Sequence, residues 1–399
     1  MDLRSYYPYW LLDKSIPAIY PSLLQNITAD VTIIGAGISG AIAAWYLRNS
    51  SEKVLVVDRR HAGMGSTAAS TGLLQYEIDT PLARLQTLVG ISNANKSYIL
   101  CSQAITELTK ICRRFPASEF EMRPSLQYAS SLRDAGCLRK EFELRKKIGI
   151  DLELLDEREI KSRFGFSKSA GLLSKNAAEV NAFGLTHSLL QYCSGKNAEV
   201  YDHTGIKGIR RVKKQFELFT ANGVRIKTRK IIIACGYESK KYLPRKFDQL
   251  HTTYAVVTEP VAREALWYNK AVIWETSSPY LYIRTTRDNR ILVGGKDDDF
   301  SGSFKRDKAM PRKAKMLAHS FSKLFPHIPF IIDYNWAGAF GSTKDGLPYI
   351  GELAGKPNIY FALGFGGNGI LFSVIAGQII RDLIYEKKNE HADIFNFSR

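Results

Sequence analysis

Cysteine is scarce in this chain of 399 residues, and its five copies, Cys101, Cys112, Cys137, Cys193 and Cys235, never fall into C-x-x-C spacing. An odd, dispersed set excludes a disulfide framework and reads as reduced thiols in a cytoplasmic protein. Seven histidines are equally scattered, with no H-E-x-x-H string, so no metal site is expected. No apolar run approaches the roughly 20 residues that cross a bilayer, so no membrane span is expected. The first ten residues lack the continuous apolar core of a signal peptide. Acidic residues are also in deficit, 39 against 56 basic ones, for a formal charge of +17. Such a charge suits nucleic acid, a membrane surface or anionic substrates, and its plainer reading is a solvated basic surface. The basic clusters at 210–214 and 305–315 are short and not interleaved with aromatics. That pattern speaks against a nucleic-acid partner.

Glycine is where the information lies. Gly35-Ala36-Gly37-Ile38-Ser39-Gly40 follows the apolar run Val31-Thr32-Ile33-Ile34 and opens a helical pattern from Ala41 to Leu47. A second apolar run, Val54-Leu55-Val56-Val57, ends in Asp58. Strand, glycine turn, helix, strand and acid stand in the order of a dinucleotide-binding unit. Gly35 permits the turn, Gly37 lets backbone approach a pyrophosphate, and Gly40 keeps the helix close to the sheet. The helix start offers free N–H groups and about half a positive charge. Asp58 can accept from both hydroxyls of an adenosine ribose, and it disfavours a 2′-phosphate. Arg59 stands beside it.

A second element of this kind lies near the end. The apolar run Ile359-Tyr360-Phe361-Ala362-Leu363 enters Gly364-Phe365-Gly366-Gly367-Asn368-Gly369, and a helix is predicted from Ile370 to Ile384. One dinucleotide has one pyrophosphate, so a second helix start suggests a cofactor whose other end also carries acceptors, as a reduced flavin does. Between them, residues 63–72 are small and rich in hydroxyls, a composition suited to a loop lying against a ligand or to a flexible linker. Residues 1–29 read as an extended arm, and 82–165 as mostly helical. Strand patterns follow from Val200, with hairpins about Asn222-Gly223 and Asp288-Asn289.

Four stretches, 30–58, 65–74, 231–236 and 336–371, together resemble the D-amino-acid oxidase-like (DAO) family of FAD-dependent oxidoreductases. The string Thr343-Lys344-Asp345-Gly346-Leu347-Pro348-Tyr349-Ile350-Gly351 carries the most specific part of that resemblance. It implies a mixed α/β fold with a Rossmann-like FAD-binding domain from residues 1–80, 170–245 and 335–399. A discontinuous, antiparallel-sheet substrate domain from 81–169 and 246–334 would cover the flavin. It further implies that Gly35, Gly37, Ile38, Ser39 and Gly40 hold the pyrophosphate, with Asp58 and Arg59 at the adenosine. Gly65, Ser66, Thr67, Ser70, Thr71 and Leu73 would line the flavin, with Ile206, Ala234 and Gly236 passing close by. Gly366, Gly367, Asn368, Gly369 and Ile370 would donate toward the flavin C2 carbonyl and N1.

Amino-acid-oxidising relatives carry an arginine near the start of the Thr-Lys-Asp-Gly element, and Phe340 stands there in this chain. Relatives with covalent flavin use a cysteine in 336–345 or a histidine near Ala69, and both are missing, so noncovalent FAD is expected. The implied reaction is oxidation of the C–N bond of an amine or amino acid, with hydride passing to flavin N5 and hydrolysis of the imine. Candidate substrate contacts are Tyr254, Tyr280, Tyr282, Arg284, Lys296, Lys344 and Phe340. Arg284 reads either as a carboxylate clamp or as an ion pair with Asp297 or Asp298. The tyrosines read as ligands or as core. An RNA-directed flavoprotein and an NAD-dependent dehydrogenase stand as alternatives. The electron acceptor is left open among oxygen, a quinone and another protein.

Overall fold

The structure, a computed structural model, describes residues 2–13, 15–300 and 302–399. Among these, strands form an eight-stranded and a ten-stranded sheet. The first sheet is built on five parallel strands in the order Ile359–Leu363, Arg225–Ile233, Ile27–Ile34, Val54–Val57 and Ala198–Tyr201. Every residue of Val54–Val57 is buried, as expected for a parallel strand covered on both faces. The Asn222-Gly223 hairpin forms on this sheet's margin, with Gly223 at φ +81°.

Helix Ile38–Leu47 is apolar on nearly all sides because it lies between this sheet and helix Gly369–Ile384. The two helices approach closely. A side chain at Gly377 would run into the Tyr46 ring, and Ser39 Oγ lies 2.8 Å from Ser373 Oγ. Residues Gly366–Ile384 are long and apolar enough by length and composition to cross a membrane, contrary to the sequence expectation. Two-thirds of that stretch is buried inside the protein, the packing of a core helix.

The second sheet is largely antiparallel. Gln249–Thr258 runs between Ile332–Ser342 and Ile291–Asp299, and Tyr282–Thr285 pairs beyond it. Leu73–Gln75 and Gly171–Glu179 also belong to this sheet. The N-terminal arm is not merely extended. Arg4–Ser5 adds an edge strand, and Tyr9–Asp13 coils into a helix because Tyr9 and Trp10 bury their rings. The basic cluster at 305–315 is partly structural. Arg306 reaches Ser5 Oγ and the Arg4 carbonyl, and Lys313 reaches Asp298.

A buried charge cluster fixes the segment after Leu73–Gln75. Glu141 accepts the N–H groups of Leu82 and Ala83 at a helix start (3.1 and 2.8 Å) and binds Arg145 through Nε and Nη2 (3.0 and 2.8 Å). Glu77 lies 3.9 Å from the same guanidinium. Burial pushes its carboxyl up to about 7, from an ordinary 4.5, against the pull of Arg145. The folded chain therefore keeps a proton that the unfolded chain releases between those values, so this group's contribution to stability falls as pH rises from 4.5 to about 7. Replacing Glu77 by Gln is expected to flatten that slope, worth about 3 kcal/mol across the window. Urea titrations at a series of pH values measure it, and an unchanged slope refutes the assignment.

Candidate active site

The carboxyl ends of the parallel strands open into one crevice of about 450 Å³, the usual ligand position in such sheets. Its first end is a backbone cradle. A Cβ on Gly35 would stand 2.5 Å from the Ala234 carbonyl oxygen, and one on Gly40 would overlap the Gly35 carbonyl. Gly40 is thus a packing residue behind the cradle and does not line the crevice, a correction to its expected pyrophosphate contact. Gly35, Gly37, Ile38 and Ser39 do line it. At Gly37 a Cβ would meet only Thr67 Oγ1, at 3.0 Å, so the space over this backbone is open. Asp58 faces the same end, with Oδ2 accepting from Ala36 N–H (2.8 Å) and Oδ1 from Arg60 N–H (2.9 Å). Burial raises its carboxyl above the ordinary range. Arg59 and Arg60 line this end and both pair with Glu238.

Gly65, Ser66, Thr67, Ser70, Thr71 and Leu73 form one wall, and Ile206, Ala234 and Gly236 another. Ser66 Oγ and Gln75 Oε1 are buried there with no protein partner. Gly366, Gly367, Asn368, Gly369 and Ile370 close the far end. Both glycine turns therefore reach one crevice. The Asn368 amide does not point into it, however. Its Nδ2 donates to the carbonyls of Gln75 and Glu77 (2.8 and 2.9 Å), so that this group is not free to donate to a ligand. Open backbone, two helix starts and orphaned hydroxyl and amide oxygens make a donor and acceptor set that fits a dinucleotide.

The substrate candidates divide. Tyr280, Tyr282 and Phe340 line the crevice beyond the second glycine turn. Gly294 lies opposite Tyr282, and a side chain there would occupy the Tyr282 ring. Tyr254 does not line it. Strand alternation gives the crevice to its neighbour Thr253 and turns Tyr254 into the core under helix Ser303–Leu324, where its hydroxyl meets Asp298 at 3.0 Å. Lys296 does not line it either. The strand Ile291–Asp299 slips register against Thr252–Tyr254, and this bulge presents Asp297 instead. Lys344 donates to the Arg399 carbonyl on the surface.

Arg284 is the main correction. It shares a face with Tyr282 but lies behind the loop at 70–72, only 2% exposed. Its Nη1 donates to the carbonyls of Thr71, Gly72 and Val180 (3.1, 2.8 and 3.2 Å), and its Nε to Thr285 (2.8 Å). Its nearby anion is Glu179, at 3.9 Å, not Asp297 or Asp298. Arg284 does not line the crevice.

Two acids were not expected to line the site. Asp79 lines the far end, accepting from Gly367 N–H (2.9 Å) and the Tyr280 hydroxyl (3.3 Å). Asp79 is exposed on the crevice wall, while burial takes the carboxyl of Asp297 up to about 6, with Asp79 adding to that shift. Nothing in the local composition marks Asp79, and only the unforeseen bulge exposes Asp297.

Replacing Arg284 by Leu strands its carbonyl partners. It is expected to cost about 3 kcal/mol or more of folding stability, read by urea titration, and to loosen the loop at 70–72, read by hydrogen exchange. Wild-type stability and exchange would restore the carboxylate-clamp reading.

Known proteins resemble this arrangement across the chain. The γ-glutamylputrescine oxidoreductase of Escherichia coli is 24% identical, with 94% of this chain and 88% of that protein covered. The probable oxidoreductase OrdL of Haemophilus influenzae is 23% identical over 92% and 85%. The crystal structure of glycine oxidase from Geobacillus kaustophilus superposes with a TM-score of 0.76 at 19% identity, covering 91% and 96%. A family model described as FAD dependent oxidoreductase (DAO) matches residues 30–383; the chain belongs to this family of FAD-dependent enzymes.

Proposed function

We propose that the crevice binds FAD noncovalently and that the enzyme oxidises the C–N bond of a small amine. One observation carries the reading: two helix starts from distant parts of the chain line a single crevice whose far end is walled by Tyr280, Tyr282 and Phe340. Gly35, Gly37, Ile38 and Ser39 would hold the pyrophosphate, Asp58 and Arg59 the adenosine, and the loop at 65–73 the flavin. Such a division places residues 1–80, 170–245 and 335–399 chiefly with the cofactor and the remainder chiefly with the substrate. The names of the relatives, an amine oxidoreductase and an amino-acid oxidase among them, support the C–N bond as target.

FAD, when bound, supplies the two-electron acceptor that takes an amine to its imine, which water then hydrolyses. The chain's own part is positioning and electrostatics. Backbone N–H groups at the start of helix Gly369–Ile384 stabilise negative charge developing opposite them. The aromatic walls orient the substrate and exclude water. Cys235 lines the crevice at the Gly35 end, and burial pushes its thiol up to about 11. It is no thiolate nucleophile, which supports noncovalent attachment.

Two measurements test the proposal. Gly37→Val fills the open backbone, and its purified protein is expected to carry less than about a tenth of the wild-type flavin with an unchanged circular dichroism spectrum. Full flavin content would move the pyrophosphate elsewhere. Anaerobic mixing of the holoenzyme with primary amines, N-methyl amines, amino acids and imino acids is expected to bleach the flavin with at least one class. If dithionite bleaches it and every class leaves it oxidised, C–N oxidation is wrong.

A further inference from the structure

The far end of the crevice carries two carboxylates, and the cations that line the crevice stand elsewhere. Arg59, Arg60 and Lys241 belong to the Asp58 end, where Lys241 donates to the Ile206 carbonyl, and Lys240 acts on Asp248. Lys313, the cation nearest Asp297, is bound at Asp298 and the Lys296 carbonyl on the other side of the strand. Phe340 offers only an apolar surface. Asp79 faces this end from the connection after Leu73–Gln75 and Asp297 from the bulge in Ile291–Asp299, and Tyr280 feels both charges. Asp79 has donors, Gly367 N–H and Tyr280. The Thr253 hydroxyl reaches the Asp297 carboxylate, but its Oδ1 is shielded from solvent and has no partner, a buried acceptor that calls for a donor.

Resting on the amine-oxidation reading above, we propose that Asp79 and Asp297 make the enzyme select an amine bearing a second ammonium group, a diamine or polyamine, and reject α-amino acids. An ammonium carries three donors and no acceptor. Set beside Asp297 it satisfies the orphaned oxygen with a charge-assisted bond. The rings of Tyr280 and Tyr282, with centroids 5.9 Å apart, offer it two further negative faces. A substrate carboxylate in the same place meets two like charges and no donor of opposite charge, and such a juxtaposition excludes a ligand. The second ammonium has another effect. Without that second cation the two carboxylates would hold the reacting nitrogen in its protonated form, which cannot be oxidised. A cation between them cancels that pull.

The test uses the FAD-loaded enzyme and ligands that cannot react. A diamine whose nitrogen-bearing carbons carry no hydrogen, so that it is protonated but cannot lose hydride, the monoamine of the same kind and chain length and the carboxylate of that length are each titrated, and binding is followed by flavin absorbance and by calorimetry. The diammonium is expected to bind roughly tenfold tighter than the mono-ammonium, and the carboxylate weakest. Asp297→Asn and Asp79→Asn should each shrink that advantage, and the double variant should abolish it, with flavin content and melting temperature as checks on folding. Equal binding of mono- and diammonium by the wild-type enzyme overturns the proposal without any variant. So does a carboxylate preference, or an advantage that survives the double variant. The amine panel above keeps the two claims apart. Bleaching by amino acids or monoamines, with no diammonium preference, sinks the selectivity alone. Acid-dependent diammonium binding with a flavin that no amine bleaches sinks C–N oxidation alone.

Discussion

Gly40 lies against the Gly35 carbonyl, and Gly35 lies against Ala234, with no space for a methyl group at either contact. These backbone-to-backbone approaches bring the start of helix Ile38–Leu47 down onto the strand ends. Without them the helix would stand off the sheet, and its first N–H groups would face the wrong volume. The second helix is placed by the first. Gly377 admits the Tyr46 ring and Ser39 meets Ser373, so the two starts are held at a fixed separation. Each start contributes the same physics, unpaired donors and a partial positive charge. Held apart along one crevice, they suit an elongated ligand with acceptors at two places.

The seam between the two sheets is built differently. The loop at 66–72 has few bulky side chains of its own to anchor it, and its carbonyls would be stranded where it leaves solvent. Arg284 satisfies two of them, together with that of Val180 on the neighbouring chain segment. The Trp10 ring packs over the guanidinium, and the Trp10 and Trp336 indoles donate to the carbonyls of Ser70 and Ala69. A charge that looks like a ligand clamp is thus spent on backbone. Arginine suits the task because its planar fork offers several donors in fixed directions. The N-terminal arm has a role for the same reason: it delivers Trp10 to this seam.

This contrast explains what could be read in advance. The parallel strands, both glycine turns and the crevice-lining loop are local patterns, and each is written in consecutive residues. Gly35 to Asp58 needs no knowledge of the rest of the chain. The substrate end is different because it depends on register. Thr253 and Tyr254 are equally plausible from sequence, and a pleat decides between them. Lys296 and Asp297 are exchanged by one bulge. Arg284 has the right face and the wrong depth, because the loop that covers it lies more than 200 positions earlier. Asp79 is set by contacts that no local pattern contains. Thr80 beside it fits under Gly346 and its carbonyl accepts from Tyr98.

Charge shows the same separation of scales. The chain carries +17, yet the far end of its crevice is acidic. The two facts do not conflict. At physiological salt the field of exposed charges decays over about 8 Å, so the basic surface says little about the interior. Several of the basic side chains are also tied up. Arg145, Arg284, Arg306 and Lys313 are buried against carboxylates or carbonyls. What a bound molecule meets is the short-range arrangement at each end, cations beside Asp58 and carboxylates beside Tyr280. An anionic cofactor portion and a cationic substrate would then enter one cavity without competing for the same groups. That polarity, opposite in sign at the two ends, comes from a handful of residues and owes nothing to the net charge.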